Sequence, residues 1–468
     1  MNSSFRTLLA VFAFAAGALI LTPSAEAATI TICDSGCDYT SLDTAVAADI
    51  AGPDTYILTT GYTALEDGNR FLSDDTTLTC DPGVAFRQDV TFPGYTYFGS
   101  NVVIQDCQLQ DIAFNKQVGA VTNVSWLNNT LLPKTQLTSG NTIYLGDTQS
   151  FTISGNTGHL RESRYNGSSD GMITGNNFHC TESAGCFIFE GGADDITIDD
   201  NTLQQSGHSS YGQITISNAT NITVTNNILS SLPVQNNGYI MISIYNQWDN
   251  IQISNNFFQF PEHGLITSGG STAIHISAPD ADANISIEQN SMVSTSTPST
   301  NNGISYKCLN IIGGSNVFPV KQLNVEYRYN FCQNGSTASQ DYGIGLSYDP
   351  TYHSINFTDE HNGFTNVDQV IFDEFGPLTI ADLSETTLNS NPVFRTENAD
   401  PLDDHLFAPM SRYLDVNGTR DIGYYDGGAR DSSYTIDDIC VVNYTTCHSQ
   451  TTDVLDDVLK PGDVVTIA

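Results

Sequence analysis

Apolar and polar residues alternate in a short phrase that returns along the middle of the chain. It reads Phe151-Thr-Ile-Ser-Gly-Asn156, Met172-Ile-Thr-Gly-Asn-Asn177, Ile196-Thr-Ile-Asp-Asp-Asn201, Ile222-Thr-Val-Thr-Asn-Asn227, Ile251-Gln-Ile-Ser-Asn-Asn256 and Ile285-Ser-Ile-Glu-Gln-Asn290. Val124-Ser-Trp-Leu-Asn-Asn129 is a weaker early copy. Aligned on the shared Asn, the copies fall at 129, 156, 176, 201, 227, 256 and 290. Alternation of period two is that of a strand with one buried face. Strands this short, recurring every two to three dozen residues, cannot make independent sheets. They can stack if each repeat is one turn of a wide coil, strand over strand at about 4.8 Å. The Asn column fits a sharp bend, because Asn tolerates the left-handed region better than most residues. Its amide can also bond to the Asn of the next coil, which predicts a ladder.

A second phrase lies between the Asn columns: Gly212-Gln-Ile-Thr-Ile216, Tyr239-Ile-Met-Ile-Ser-Ile244, Ala273-Ile-His-Ile276, Gly303-Ile-Ser-Tyr306 and Gly343-Ile-Gly-Leu346. A shorter strand follows each Asn, as at Phe178, Leu203, Leu229 and Phe258. Three strands per coil is the cross-section of a right-handed parallel β-helix, an all-β fold. In the Gly-led row, alternation turns Ile214, Ile216, Ile242, Ile244, Ile274, Ile276, Ile304 and Ile344 inward. It turns Gln213, Thr215, Ser243, Tyr245, His275, Ser305 and Lys307 outward.

Composition narrows the function. The 468 residues carry 15 Lys and Arg against 52 Asp and Glu, a net charge of −37. Phosphate contacts need clustered Lys and Arg, so the charge argues against direct binding to nucleic acid or anionic lipid. At 39% hydrophobic the chain can bury a large core, and its charged fraction of 14% leaves a surface of Asn, Ser, Thr, Gly and Gln. Residues 1–27 read as a secretory signal peptide: Arg6, an apolar run from Leu8 to Leu21, and Ala25-Glu-Ala27. The run is too short to span a bilayer, so the expected product is secreted, extracellular or periplasmic, or held at the cell surface. Ten cysteines suit an oxidising compartment. Zinc is the competing reading of Cys clusters, but the spacings of zinc sites are missing.

The phrases resemble the right-handed β-helix repeats of the pectate-lyase-like superfamily over roughly residues 28–430. Cys33-Asp-Ser-Gly-Cys37, then Tyr39 to Val46 and Asp54-Thr-Tyr-Ile-Leu58, is similar to the start of such proteins. There an amphipathic helix closes the first coil, which would turn Leu42, Ala45, Val46 and Ile50 to the core. Asn391-Pro-Val-Phe394 and Asp421-Ile-Gly-Tyr-Tyr425 resemble the frequent ending. The resemblance implies a β-helix over 28–375 and an irregular capping segment over 376–430. Residues 431–468, with Cys440 and Cys447, read either as the opening cap of a second β-helix or as a C-terminal cap. Cys80 with Cys107, and Cys308 with Cys332, are one coil apart and are expected to bond. Cys33/Cys37, Cys180/Cys186 and Cys440/Cys447 would close local loops.

The superfamily hosts lyases, hydrolases, epimerases and inert spacers, so the fold does not fix the activity. It implies a groove along one exposed strand row. The most unusual local sequence is His159-Leu-Arg-Glu-Ser-Arg-Tyr165. Polysaccharide β-elimination needs a base and a cation that neutralises the uronate carboxylate. Arg161 or Arg164 is the candidate cation; Tyr165, His208 or Tyr211 the candidate base. Glu190, Asp194 and Asp195 are candidate ligands for Ca²⁺, an oxygen-seeking ion. Tyr245, His275 and Lys307 are candidate substrate-binding residues. Asp194-Asp195 and Gly207-His208 also loosely resemble elements of polygalacturonases, but Ser209 stands where those have Gly. Two functions remain open: a protein that binds or cleaves an extracellular polysaccharide or cell-surface glycan, lyase-type if an enzyme, and a non-catalytic adhesion or structural rod.

Overall fold

The computed structural model describes residues 28–48, 54–66, 69–88, 95–116, 119–134, 141–180, 185–205, 212–231, 240–260, 271–277, 279, 281–294, 306–313, 321–334, 342–347, 353–360, 362–365, 369–373, 388–389, 393–395 and 439–441. Strand lies on strand in parallel, in three stacks that wind into one right-handed parallel β-helix. The phrase stack runs from Thr29–Ile32 through Thr55–Leu58 and Thr77–Cys80 to His353–Glu360. The short stack runs from Leu65–Glu66 to Leu388–Asn389. The Gly-led stack runs from Arg70–Leu72 to Gln369–Asp373. Thr157–Asn166 runs unbroken from the short stack into the Gly-led stack. Ile214–Thr225 and Ile240–Ser254 run unbroken from the Gly-led stack into the phrase stack.

Alternation fills the interior as expected. Ile214, Ile216, Ile242, Ile244, Ile274, Ile276 and Ile344 are fully buried. Ile304 lies outside the described residues, and the partners of Ile274 and Ile276 in the next coil are Leu309 and Ile311. The Gly303 phrase therefore does not set the register of its coil. Inside, Tyr165 stacks between Phe151 and Phe189, with ring centroids at 5.2 and 4.7 Å. Gly171 makes room for the first of these rings: a Cβ there would meet Phe151 Cζ at 2.1 Å.

The Asn ladder forms and extends two coils beyond the sequence expectation. Asn129, Asn156, Asn176, Asn201, Asn227, Asn256, Asn290 and Asn330 each donate from backbone N–H and from Nδ2 to the Oδ1 of the next ladder Asn, ending on Asn362. Most also donate to a backbone carbonyl of the preceding coil, as Asn201 does to Ile173 at 2.9 Å. The expectation that this Asn makes the left-handed bend is corrected. The residue before it does: Asn128, Gly155, Gly175, Asp200, Asn226, Asn255, Gln289 and Tyr329 have φ between +54° and +66°. The bend turns the following Asn inward, where it is almost fully buried and its amide replaces the hydrogen bonds water would give.

Four of the expected disulfides are present: Cys33–Cys37, Cys80–Cys107, Cys180–Cys186 and Cys308–Cys332. Cys107 holds the ladder position of its coil, its N–H donating to Asn129 Oδ1 at 3.1 Å. Cys308 and Cys332 do not occupy equivalent places in adjacent coils; the bond joins the Gly-led stack to the short stack. The side chains of Cys440 and Cys447 lie outside the described residues.

The first coil is closed by the helix Leu42–Ala48, with Leu42 and Ala45 buried and Val46 packed at the edge of the core. Ile50 is outside the described residues. The buried Glu66 carboxylate accepts from the N–H groups of Leu42 at 2.8 Å and Asp43 at 3.1 Å, and from the Tyr62 hydroxyl. It thereby serves amides that the helix leaves unpaired. Arg70 bonds Asp43 at 2.7 Å and lies over the Phe86 ring. Residues 1–27 are outside the described set, as is most of 376–468; within the latter, Val393–Arg395 pairs antiparallel with Ile439–Val441. Among the described residues no helix is long and apolar enough to cross a membrane.

Candidate functional site

The outward positions of the Gly-led stack form one column in register. Tyr97 pairs with Asn115, Asn115 with Tyr144, Tyr144 with Arg164 and Arg164 with Ile188. The column continues through Thr215, Ser243, His275 and Asn310 to Gly345. Tyr95, 46% exposed, leans on Tyr97 with ring centroids 5.9 Å apart.

Arg164 is the centre of the charged part. Its guanidinium reaches Glu162 at 3.2 Å from the same strand and Glu190 at 3.6 Å from the next coil. Burial opposes its charge, but the Glu162 hydrogen bond and the charges of Glu162, Glu190 and Tyr144 outweigh burial and raise its pKa. Arg164 and Glu190 are thus brought together, as an ion pair. Arg161 falls outside their register. The register slips between Asn141 and Thr142, which pair with Leu160 and Glu162, and Arg161 is the extra residue of the resulting bulge.

Two of the sequence assignments are overturned. Tyr165 faces the core with no exposed surface, its hydroxyl oxygen accepts from Ser163 Oγ at 2.7 Å, and its pKa is raised by burial, so no substrate reaches it. Alternation alone places Arg164 and Tyr165 on opposite faces of one strand. The acidic trio does not assemble either. Asp194 accepts from Thr220 Oγ1 at 2.6 Å and Asn221 Nδ2 at 2.8 Å, bracing the next coil from outside. Asp195 is exposed in a left-handed bend with φ +50°. Among the described residues no group of three or more His, Cys, Asp and Glu is placed to hold a metal ion. His208 and Tyr211, the other candidate bases, and Ser305 lie outside the described residues. Gln213 and Thr215, expected to line the outer face, are fully covered.

The far end of the column is a hydrogen-bonded chain of three side chains. Asn310 Oδ1 accepts from Lys307 Nζ at 3.0 Å, and Asn310 Nδ2 meets His275 Nδ1 at 3.0 Å. A ring nitrogen facing an amide NH₂ must offer its lone pair, so the imidazole proton sits on Nε2. Burial, and then the charge of Lys307, push the His275 pKa down. His275 is therefore a neutral N–H donor, held by Asn310. The Lys307 stem folds over Gly345, where a Cβ would meet Lys307 Cδ and Asn310 Oδ1 at 2.9 Å. Tyr245 is half-buried opposite Ser217. Tyr97, Tyr144, Glu162 and Asn310 were missed in the sequence. Pairing Tyr144 with Arg164 needs the register of the bulged coil, which no repeat phrase announces.

No protein-family model matches the chain, and no curated protein matches it. Among solved structures, a mutant tailspike protein of E. coli bacteriophage HK620, in complex with a pentasaccharide, is similar at 12% identity and a TM-score of 0.21. The similarity covers 68% of this chain and 58% of the tailspike chain, so it spans somewhat more than half of that protein.

Proposed function

We propose that the protein binds an extracellular polysaccharide lengthwise along the outward column of the Gly-led stack. The observation that supports this is the in-register line from Tyr97 to Asn310, eight coil steps and about 38 Å at about 4.8 Å per coil, whose two ends carry the polar and aromatic groups while Ile188, Thr215 and Ser243 between them are buried. Tyrosine rings suit sugar faces. Arg164, Glu162, Glu190 and the His275 N–H offer donors and acceptors to hydroxyls. Backbone pairing fixes their spacing before a ligand arrives, which lowers the ordering cost of binding. Arg164 is already matched by two carboxylates, and a net charge of −37 repels polyanions, so a neutral glycan fits best. Four disulfides suit an extracellular or periplasmic setting.

Lyase chemistry is the narrower form of this proposal, with Arg164 as cation and the base drawn from His208 or Tyr211. A glycan array on the mature protein, followed by titration with Arg164→Ala and Tyr144→Ala, tests the binding. Loss of affinity in both variants is expected. A blank array, with no unsaturated uronate released from pectate or alginate with or without Ca²⁺, would leave the rod-like structural role.

A further inference from the structure

Outside that column, on the outer face of the short stack, two histidines lie one above the other. His159 and His179 are register partners in adjacent coils, half-buried, with ring centroids 4.8 Å apart and planes inclined by 40°. His179 Nε2 is buried and has no hydrogen-bond partner. A buried ring nitrogen without a partner is destabilising wherever it occurs. Here it lies beside a second imidazole, and the next residue in register is Gln204. The geometry points to a bis-imidazole site for a borderline divalent transition-metal ion, with Zn²⁺, Ni²⁺ or Cu²⁺ bound by His159 and His179.

Imidazole nitrogen selects these ions over Ca²⁺ and Mg²⁺, which take oxygen. Binding requires neutral rings. Two rigid strands supply two adjacent ligands, and water completes the shell, so the ion would be exchangeable. Arg161, two residues after His159, is engaged by an interaction of its own. The proposal does not depend on glycan binding.

The test is calorimetric titration of the mature protein with ZnCl₂ and NiCl₂ in chelator-free buffer. One equivalent is expected, undiminished by excess CaCl₂, with affinity at least tenfold weaker in His159→Ala and in His179→Ala. His159→Gln keeps a polar side chain while removing the imidazole, and is expected to lose the same equivalent with an unchanged circular dichroism spectrum. Absence of binding, or binding unaltered in the His159→Ala/His179→Ala double variant, overturns the proposal.

Discussion

Two corners of the same coil are built in opposite ways. Between the phrase stack and the short stack, the turn in the central coils is one left-handed residue followed by one ladder Asn, as at Asn128-Asn129, Gly155-Asn156 and Asp200-Asn201. Between the short stack and the Gly-led stack nothing is constant. Thr157–Asn166 passes straight through, whereas residues 261–270 separate Phe257–Phe260 from Ser271–Ser277. The first corner fixes the winding of each coil through buried amides. The second is then free to vary, and the candidate groove lies on the stack that it opens onto. Constancy and variation are separated in space, so a change at one corner should be felt in stability and a change on the Gly-led face in binding.

The largest break should come from Asn201→Ala. It removes donors to Ile173 O, Asp199 O and Asn227 Oδ1, and strands the Asn176 N–H groups that it accepts. At about 1–3 kcal/mol for each buried group left unpaired, a loss of about 3 kcal/mol or more is expected in chemical denaturation. Its exposed neighbour Asp200, in the left-handed bend, should lose only about 1 kcal/mol on change to Ala. Equal effects at the two positions would collapse the distinction between ladder and bend.

Gly171→Ala forces a methyl into the Phe151 ring and should cost about 1–3 kcal/mol by thermal melting, without altering glycan affinity. Arg164→Ala should do the reverse. Its partly exposed ion pairs contribute at most about 1 kcal/mol to stability. Affinity for the glycan should fall about tenfold, or about 1.4 kcal/mol. Tyr165→Phe loses only the bond with Ser163, about 1 kcal/mol, and should bind glycan like the parent. A binding defect in Tyr165→Phe would place the interior, not the outer face, at the site.

The smallest expected effect is one of pH. Burial and Lys307 lower the His275 pKa in the folded chain below its ordinary value of about 6.5. The neutral ring's contribution to stability is therefore complete above that ordinary value and is lost as pH falls through the folded value. Protonation also sets an N–H at Nδ1 against the Asn310 amide. Glycan affinity should hold through and below the ordinary histidine value, falling only at more acid pH, and His275→Gln should remove that acid step.

The fold was legible because period two and the recurring Asn are enforced in every coil by the same interior. Even the error about the bend is instructive. Asn at both 128 and 129, or 226 and 227, hides which of the two turns and which is buried. The site was far less legible. Outward residues of any solvated strand look alike in sequence, and the slips that pair Tyr144 with Arg164 and His275 with Asn310 arise from a bulge and from unequal connections. Asp194 and Asp195 stood out as a charged pair, yet their placement serves the outer turns, where a carboxylate accepts from the coil above.

Every link of the ladder runs the same way: each Asn gives its backbone N–H and one amide hydrogen to the oxygen of its successor, and most also donate to a carbonyl of the coil before. Winding is consequently vectorial, with every completed turn acting as a template whose dangling donors are satisfied only when the following turn arrives. A chain cut after Asn227 would leave its backbone N–H, and the amide hydrogen meant for Asn256, without the oxygen that receives them, and such a piece should stick to its own copies until another segment seals it.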